Sequence, residues 1–329
     1  MSNSPSDAST TAPTATRPKG GLGRLSTGDV LSVADLSTGD IDAVFSTADT
    51  LADDRWSFGG ALDRRSIVML FEKPSLRTRV TFEVGPARLG AHVMYFDHSK
   101  QRIGEREPVL DYAKNLERWA DAIVARTYSH RTLVELAEHA SVPVVNALSD
   151  LEHPCQALAD FFTLRRRLGR VAGLRLAYVG DGNNVCHSLL LLGAALGAHV
   201  TAIGPDRCAP DARVLERAQR LAAASGGGAC ATTDLDAIDG ADAVYADTWV
   251  SMGAHDSESQ RAALEAYQVD AAMMARATSD AVFMHCLPAH RGEEVTPEVI
   301  DGPASIVYDQ AENRMHVQNA LLAHLLLGT

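Results

Sequence analysis

Residues 71–79, FEKPSLRTR, follow the apolar run SIVML and crowd Lys73, Arg77 and Arg79 together with the hydroxyls of Ser75 and Thr78. Cations this close repel one another unless an anion sits among them. A helix starting here adds free N–H groups and positive partial charge at its first turn. With hydroxyl donors and the planar guanidinium of Arg77, the stretch makes a cradle suited to phosphate. The plainer alternative is a capped helix with surface arginines. The G-x-x-x-x-G-K pattern of a Walker loop is missing.

Four further clusters carry side chains that could do chemistry. In HPCQ, His153 and Gln156 can hydrogen-bond a carbonyl or an amide, although alone this reads as a turn His before a helix-starting Pro154. GDGNNVCHS, residues 180–188, has two glycines of a dinucleotide fingerprint, but Val185 stands at the third. No acid ends the next strand, so nicotinamide binding has weak support, and Asn183 and Asn184 offer amides to a different ligand. DTWVSMG, residues 247–253, brings a carboxylate, a hydroxyl and a glycine to another strand end. In HCLPAHRGEE, His285 and Cys286 are neighbours whose side chains in a strand face opposite ways, an awkward arrangement for one metal. Cys286 beside Asp247 could relay a proton; a buried structural Cys is the commoner role.

These clusters need elements to position them. Apolar runs at 66–71, 92–97, 122–126 and 143–147 read as strands, separated by segments with helical apolar spacing. After a longer helix at about 154–169 the rhythm restarts, with strands at 174–180, 199–204, 243–247, 281–286 and 305–309. Alternating strand and helix implies parallel α/β sheets, where ligands collect at the carboxyl ends of the strands. The expected fold is two parallel-sheet α/β domains of similar size joined by a bridging helix. The C-terminal helix, opened by Glu312, is expected to pack back on the first domain. The division is 1–22 tail, 23–165 plus 312–329 first domain, and 166–311 second domain. Pro86 should kink or shorten the helix beginning near Arg77, at a cost of roughly 3 kcal/mol unless compensated.

Composition bounds the function. The chain has 329 residues, 46% of them hydrophobic, enough for two domains with sizeable cores. A formal charge of −12, from 30 basic and 42 acidic residues, is a poor basis for nucleic-acid binding. The cysteine count, 5, is odd and includes no C-x-x-C pair, which speaks against a disulfide scaffold or structural zinc and for a reducing, cytoplasmic compartment. No apolar stretch is long enough to cross a bilayer. The Ser-, Thr- and Pro-rich start lacks a secretory h-region and reads as a disordered tail, with a cleaved targeting segment the less favoured alternative.

FEKPSLRTRVTFE, QRIGERE, HPCQALAD, GDGNN, DTWVSMG, MHCLPAHRGEE and DQAENRMH together resemble the aspartate/ornithine carbamoyltransferase family, most closely its ornithine branch. They stand in family order from about residue 25 to the end. SMG and HCLP are not expected in the aspartate branch, and the putrescine and acetylornithine branches change the region of SMG. The resemblance implies transfer of a carbamoyl group from carbamoyl phosphate to the side-chain amine of L-ornithine, giving citrulline and phosphate in arginine metabolism. Another amine such as putrescine is the alternative acceptor. It implies that Ser75, Leu76, Arg77 and Thr78 hold the phosphate, with Gln101 completing the site across a subunit interface. Arg126, His153 and Gln156 bind the carbamoyl end, and Cys286, Leu287 and Arg314 close around it. Asn184, Asp247, Ser251 and Met252 hold ornithine; Cys286 and Asp247 manage the amine proton, and Arg77 and His153 are catalytic. Leu76 replaces a frequent Thr, at a position able to act through its backbone N–H. No metal or organic cofactor is implied, and a homotrimer is. Lys73 and Arg79 lie outside this set and are expected to supply background field or a subunit contact. A dehydrogenase built on GDGNN and a non-catalytic binding protein are the rivals.

Overall fold

The computed structural model describes residues 22–250 and 258–328. The first unit runs α1 (Thr38–Asp53), β1 (Ser66–Phe71), α2 (Leu76–Arg88), β2 (His92–Asp97), α3 (Val109–Leu116), β3 (Ala122–Arg126), α4 (His130–His139) and β4 (Val144–Leu148). α5 (Pro154–Leu168) leads into the second, with β5 (Arg175–Val179), α6 (Asn184–Ala195), β6 (His199–Ile203), α7 (Ala212–Ser225), β7 (Gly228–Thr232) and β8 (Ala243–Ala246). Then come α8 (Glu258–Leu264), α9 (Ala271–Met274), β9 (Val282–His285), α10 (Pro297–Ile300) and α11 (Val307–Leu327).

Both sheets are parallel, ordered β2-β1-β3-β4 and β7-β6-β5-β8-β9. β3 and β8 are wholly buried, which explains their unbroken apolar runs. In each sheet the chain goes first to one side of its opening strand and then crosses to the other. The reversals fall between β1 and β3 and between β5 and β8, the crevices where such sheets bind ligands. α5 joins the units: its residues from Pro154 to Leu164 are all buried, and it packs against α11 and α6. Pro154 occupies its first turn and Gly169, at φ 74°, closes it in the left-handed conformation that glycine adopts freely. α11 packs on α1, α2 and α5 of the first unit. One apolar cluster runs through both units, including Met69, Phe161, Leu190 and Tyr178.

Two sequence readings need correction. The segment 305–309 is not a strand: Ser305 makes a single bridge to Phe283, and α11 begins at Val307, earlier than Glu312. Ile306 and Val307 are buried on successive positions of a helix entry, so their apolar character did not require a strand. β7, GACAT, was not expected; its residues have weak strand preference, and its ladder to β6 holds it at the sheet edge. Pro86 sits in the last turn of α2, which continues only to Arg88. Its carbonyl accepts from Leu89 and Ala91 N–H, so the missing donor falls where the ladder is already ending. The strands expected at 66–71, 92–97 and 122–126 match at both ends, and the other five differ by one residue at one or both ends.

Candidate active site

Ser75 caps α2: its Oγ accepts from Thr78 N–H at 3.3 Å and donates to Thr78 Oγ1 at 3.0 Å. Leu76 is 74% exposed, so only its backbone faces this turn. Thr78 is buried, and its Oγ1 also accepts from Arg314 Nη2 at 2.9 Å, tying α11 to the start of α2. Arg126 ends β3 at the first crevice and is buried; burial, then the nearby Arg314, pulls its guanidinium down to about 9. Burial also lowers Arg77 and Arg314. His153 is kept neutral, well below its ordinary value, by burial and by Arg314 and Arg126.

Arg77, Arg126 and Arg314 therefore converge with a neutral imidazole, and among the described residues none forms a salt bridge to a carboxylate. Arg126 Nε, His153 Nδ1, Gln156 Oε1 and Arg314 Nε are buried without hydrogen-bond partners. Buried charge and unpaired polar atoms are costly, so this arrangement calls for an anion with both donors and acceptors.

The opposite wall comes from the second unit. Asp247 follows β8; its Oδ1 accepts from Cys286 Sγ at 2.9 Å and Thr248 N–H at 2.8 Å, and its Oδ2 from Asn183 Nδ2 at 2.8 Å. Burial, then the charge of Asp247, pushes the Cys286 thiol well up, so it stays protonated and donates. The proton acceptor of this pair is thus the carboxylate. Asn183 Oδ1 caps α6, while Asn184 Nδ2 donates to Ser149 O at 2.6 Å.

Ser75, Arg77, Thr78, Arg126, His153, Gln156, Asn184, Asp247, Cys286, Leu287 and Arg314 line one cavity of about 330 Å³. Lys73, Thr248, Pro288 and His290 also line it and were not among the expected contacts. For Lys73, expected to supply background field or a subunit contact, this places the cation at the cavity wall. Its ammonium lies 4.6 Å from the Tyr128 ring, and burial followed by Arg126 lowers its pKa. Its place at the carboxyl end of β1 was the available signal. Arg79 instead pairs with Glu83 at 3.0 Å and lies over Tyr95. Gln101 is exposed and does not line the cavity of the single chain. Ser251 and Met252 lie outside the described residues.

The ligand-type atoms of Asp247, His285 and Cys286 come within 4.8 Å of one another, closer than alternation along a strand implies. β9 ends at His285, and Leu287 turns at φ 59°. Both His285 nitrogens are engaged, Nδ1 by Leu287 N–H at 2.9 Å and Nε2 by Glu294 Oε1 at 3.2 Å. The second glycine of GDG also finds a structural use. A Cβ on Gly182 would overlap the Ala209–Pro210 backbone, and one on Gly204 would overlap Gly180 O. Close backbone packing accounts for Gly182 with no dinucleotide invoked.

The carbamoyl-P binding domain of aspartate/ornithine carbamoyltransferases matches residues 28–166, and their Asp/Orn binding domain matches residues 172–325. An ornithine carbamoyltransferase from Shewanella oneidensis is 51% identical over 296 residues, covering 90% of this chain and 98% of the relative. The structure of ornithine carbamoyltransferase from Pyrococcus furiosus aligns with a TM-score of 0.88 at 42% identity, covering 93% of this chain and 98% of that one. The structure of the Thermus thermophilus ornithine carbamoyltransferase aligns at 0.82 and 43% identity, covering 91% and 99%. With two domain matches spanning most of its length and the cavity placed between them, the chain belongs to the aspartate/ornithine carbamoyltransferase family.

Proposed function

We propose that the chain transfers the carbamoyl group of carbamoyl phosphate to the side-chain amine of L-ornithine, giving L-citrulline and phosphate. The observation that carries the site assignment is the set of buried cations and unpaired polar atoms facing a Cys–Asp pair across one cavity. The phosphate sits on Ser75, the Leu76 backbone, Arg77 and Thr78. Gln101 from a neighbouring subunit completes this end. Arg126, His153, Gln156, Leu287 and Arg314 surround the carbamoyl end. Asn184, Asp247, Ser251 and Met252 hold ornithine.

The ornithine side-chain amine has a pKa near that of lysine, about 10, and arrives protonated. Asp247 takes that proton, with the Cys286 thiol hydrogen-bonded to the same carboxylate. The freed nitrogen attacks the carbonyl carbon, forming the C–N bond and a tetrahedral oxyanion. Arg77, Thr78, Arg126, His153 and Arg314 are the donors aimed at the developing charge; one such donor is worth roughly 3 kcal/mol. The C–O bond to phosphate then breaks, and phosphate leaves with a proton from the attacking nitrogen.

A homotrimer fits the surface. Leu76, Val80 and Val84 are exposed at one-turn intervals along α2, and Phe96 is exposed at the end of β2. This stripe begins at the phosphate cradle, near enough for a neighbour to share the site. All cysteines are free, which accords with a cytoplasmic enzyme. Among the described residues no helix is long and apolar enough to cross a membrane. The boundaries 23–165 with 312–329, and 166–311, are proposed as the carbamoyl phosphate and ornithine domains. The test is citrulline formation from carbamoyl phosphate with a panel of ornithine, putrescine, aspartate and acetylornithine. Ornithine should be strongly preferred; a preference for another amine would reassign the acceptor.

A further inference from the structure

Gln156 lines the cavity with one amide atom committed and the other not. Its Nε2 donates to Asp160 Oδ1 at 2.7 Å, and its Oε1 is buried without a partner. Asp160 lies one helical turn further along α5 and is fully buried. Its Oδ1 also accepts from Gln310 Nε2 at 2.7 Å, and its Oδ2 accepts from the Tyr245 hydroxyl at 3.2 Å. Gln310 is held in turn, because its Oε1 accepts from His285 N–H at 3.0 Å. One carboxyl group thus joins α5, β8 and α11, and through Gln310 the end of β9.

The two ends of a glutamine amide have nearly the same shape, so the end facing a ligand is decided by what holds the other. Asp160 Oδ1 accepts whether the carboxyl is ionised or carries its proton on Oδ2. In either form it requires a donor, which is Nε2. Burial pushes Asp160 up to about 7, so both forms occur near neutrality, and neither turns Gln156 around.

We propose that Asp160 is a positioning residue that holds the Gln156 amide oxygen toward the acyl end of the phosphate substrate, selecting a carbamoyl NH2 over an acyl group with no donor. This rests on Gln156 contacting the carbamoyl end. A carbamoyl NH2 satisfies Oε1. The methyl group of acetyl phosphate has similar size and leaves that oxygen buried and unpaired.

The test measures dissociation constants for carbamoyl phosphate and acetyl phosphate by calorimetry on the full chain and on D160N, D160L and Q156M. The wild type should prefer carbamoyl phosphate by about tenfold or more. D160N keeps the Oδ1 acceptor and can donate to the Tyr245 oxygen, so it should keep the preference. D160L removes the acceptor, lets the amide rotate and should bring the two constants close together; Q156M should do the same directly. General structural damage would weaken both ligands and leave their ratio unchanged. If D160L does not fold, the other two variants still decide. Loss of the preference in folded D160N, or its retention in Q156M or in folded D160L, overturns the proposal. A wild type that makes citrulline but binds both compounds equally overturns it while leaving the reaction standing. Failure to bind carbamoyl phosphate removes both.

Discussion

Arg77 is half-buried beside the Ser75 cap, with burial working against its charge and, among the described residues, no carboxylate paired with it. Such a group has most to gain when phosphate charge shifts during reaction. Arg77→Ala should therefore lower kcat by about a hundredfold or more, as expected for loss of a transition-state donor. Near-normal turnover would remove Arg77 from the mechanism. The second residue-scale prediction concerns Cys286. Because its thiol is held well above the ordinary range, it remains a donor to Asp247 through neutral pH and loses that proton only in alkali. Wild-type kcat should fall as pH rises through that ionisation. Cys286→Ser keeps a donor that does not titrate there, so the alkaline limb of the pH–rate profile should move to higher pH. An unchanged profile would leave Cys286 a structural residue. These types and spacings were readable in the sequence because a cation cluster, a His-Pro turn and a Cys-Leu-Pro turn each fall at strand or helix ends. That Lys73 lines the same cavity is not visible from its sequence neighbours.

At the scale of elements, α2 shows how packing can override a local rule. Glycine within a helix ordinarily costs about 0.5–1 kcal/mol relative to alanine. Gly85 is retained at a close approach of α11, where an added Cβ would overlap the amide of Asn319. Overpacking of this kind costs about 1–3 kcal/mol, which exceeds the propensity gain. Gly85→Ala should thus lower the melting temperature, read by thermal unfolding; a raised value would show that the Asn319 side chain can swing aside without cost. The contact also bears on the site, since α11 carries Arg314 to Thr78. Most strands were legible because buried parallel strands are continuous apolar runs. β7 was not, since Gly, Ala, Cys and Thr acquire strand geometry only from the β6 ladder. Segment 305–309 failed in the opposite way: a short apolar run fits a buried helix entry as well as a strand.

For the whole molecule, the exposed stripe of Leu76, Val80 and Val84 lies on the outer face of the helix that starts at the proposed phosphate site. If neighbouring subunits cover it, one carboxylate placed there should separate them. Val80→Asp should shift a trimeric wild type to a smaller species in analytical ultracentrifugation and reduce citrulline formation. A wild type that sediments as a monomer with full activity would discard both the trimer and the shared role of Gln101. The same scale explains why the cavity lies where it does. The crevice between β1 and β3 supplies Lys73, Arg77 and Arg126, α11 adds Arg314, the crevice between β5 and β8 supplies Asp247 and the asparagines, and α5 joins the two units.

The sequence by itself determined the chemistry on offer and the class of fold. Residue types at strand ends and the period of apolar runs are local properties, set within a few neighbouring positions. Tertiary structure decided which atoms are left unpaired. Gln156 meets Asp160 one helical turn away, but that Gln310 and Tyr245 hold Asp160 and that Cys286 donates to Asp247 depend on partners far away in the chain. Asp160 and Gln310 are 150 positions apart, and no local spacing records that they share a hydrogen bond. Their contact exists because α11 returns across the first unit and buries both side chains away from water, where a carboxylate must be met by donors.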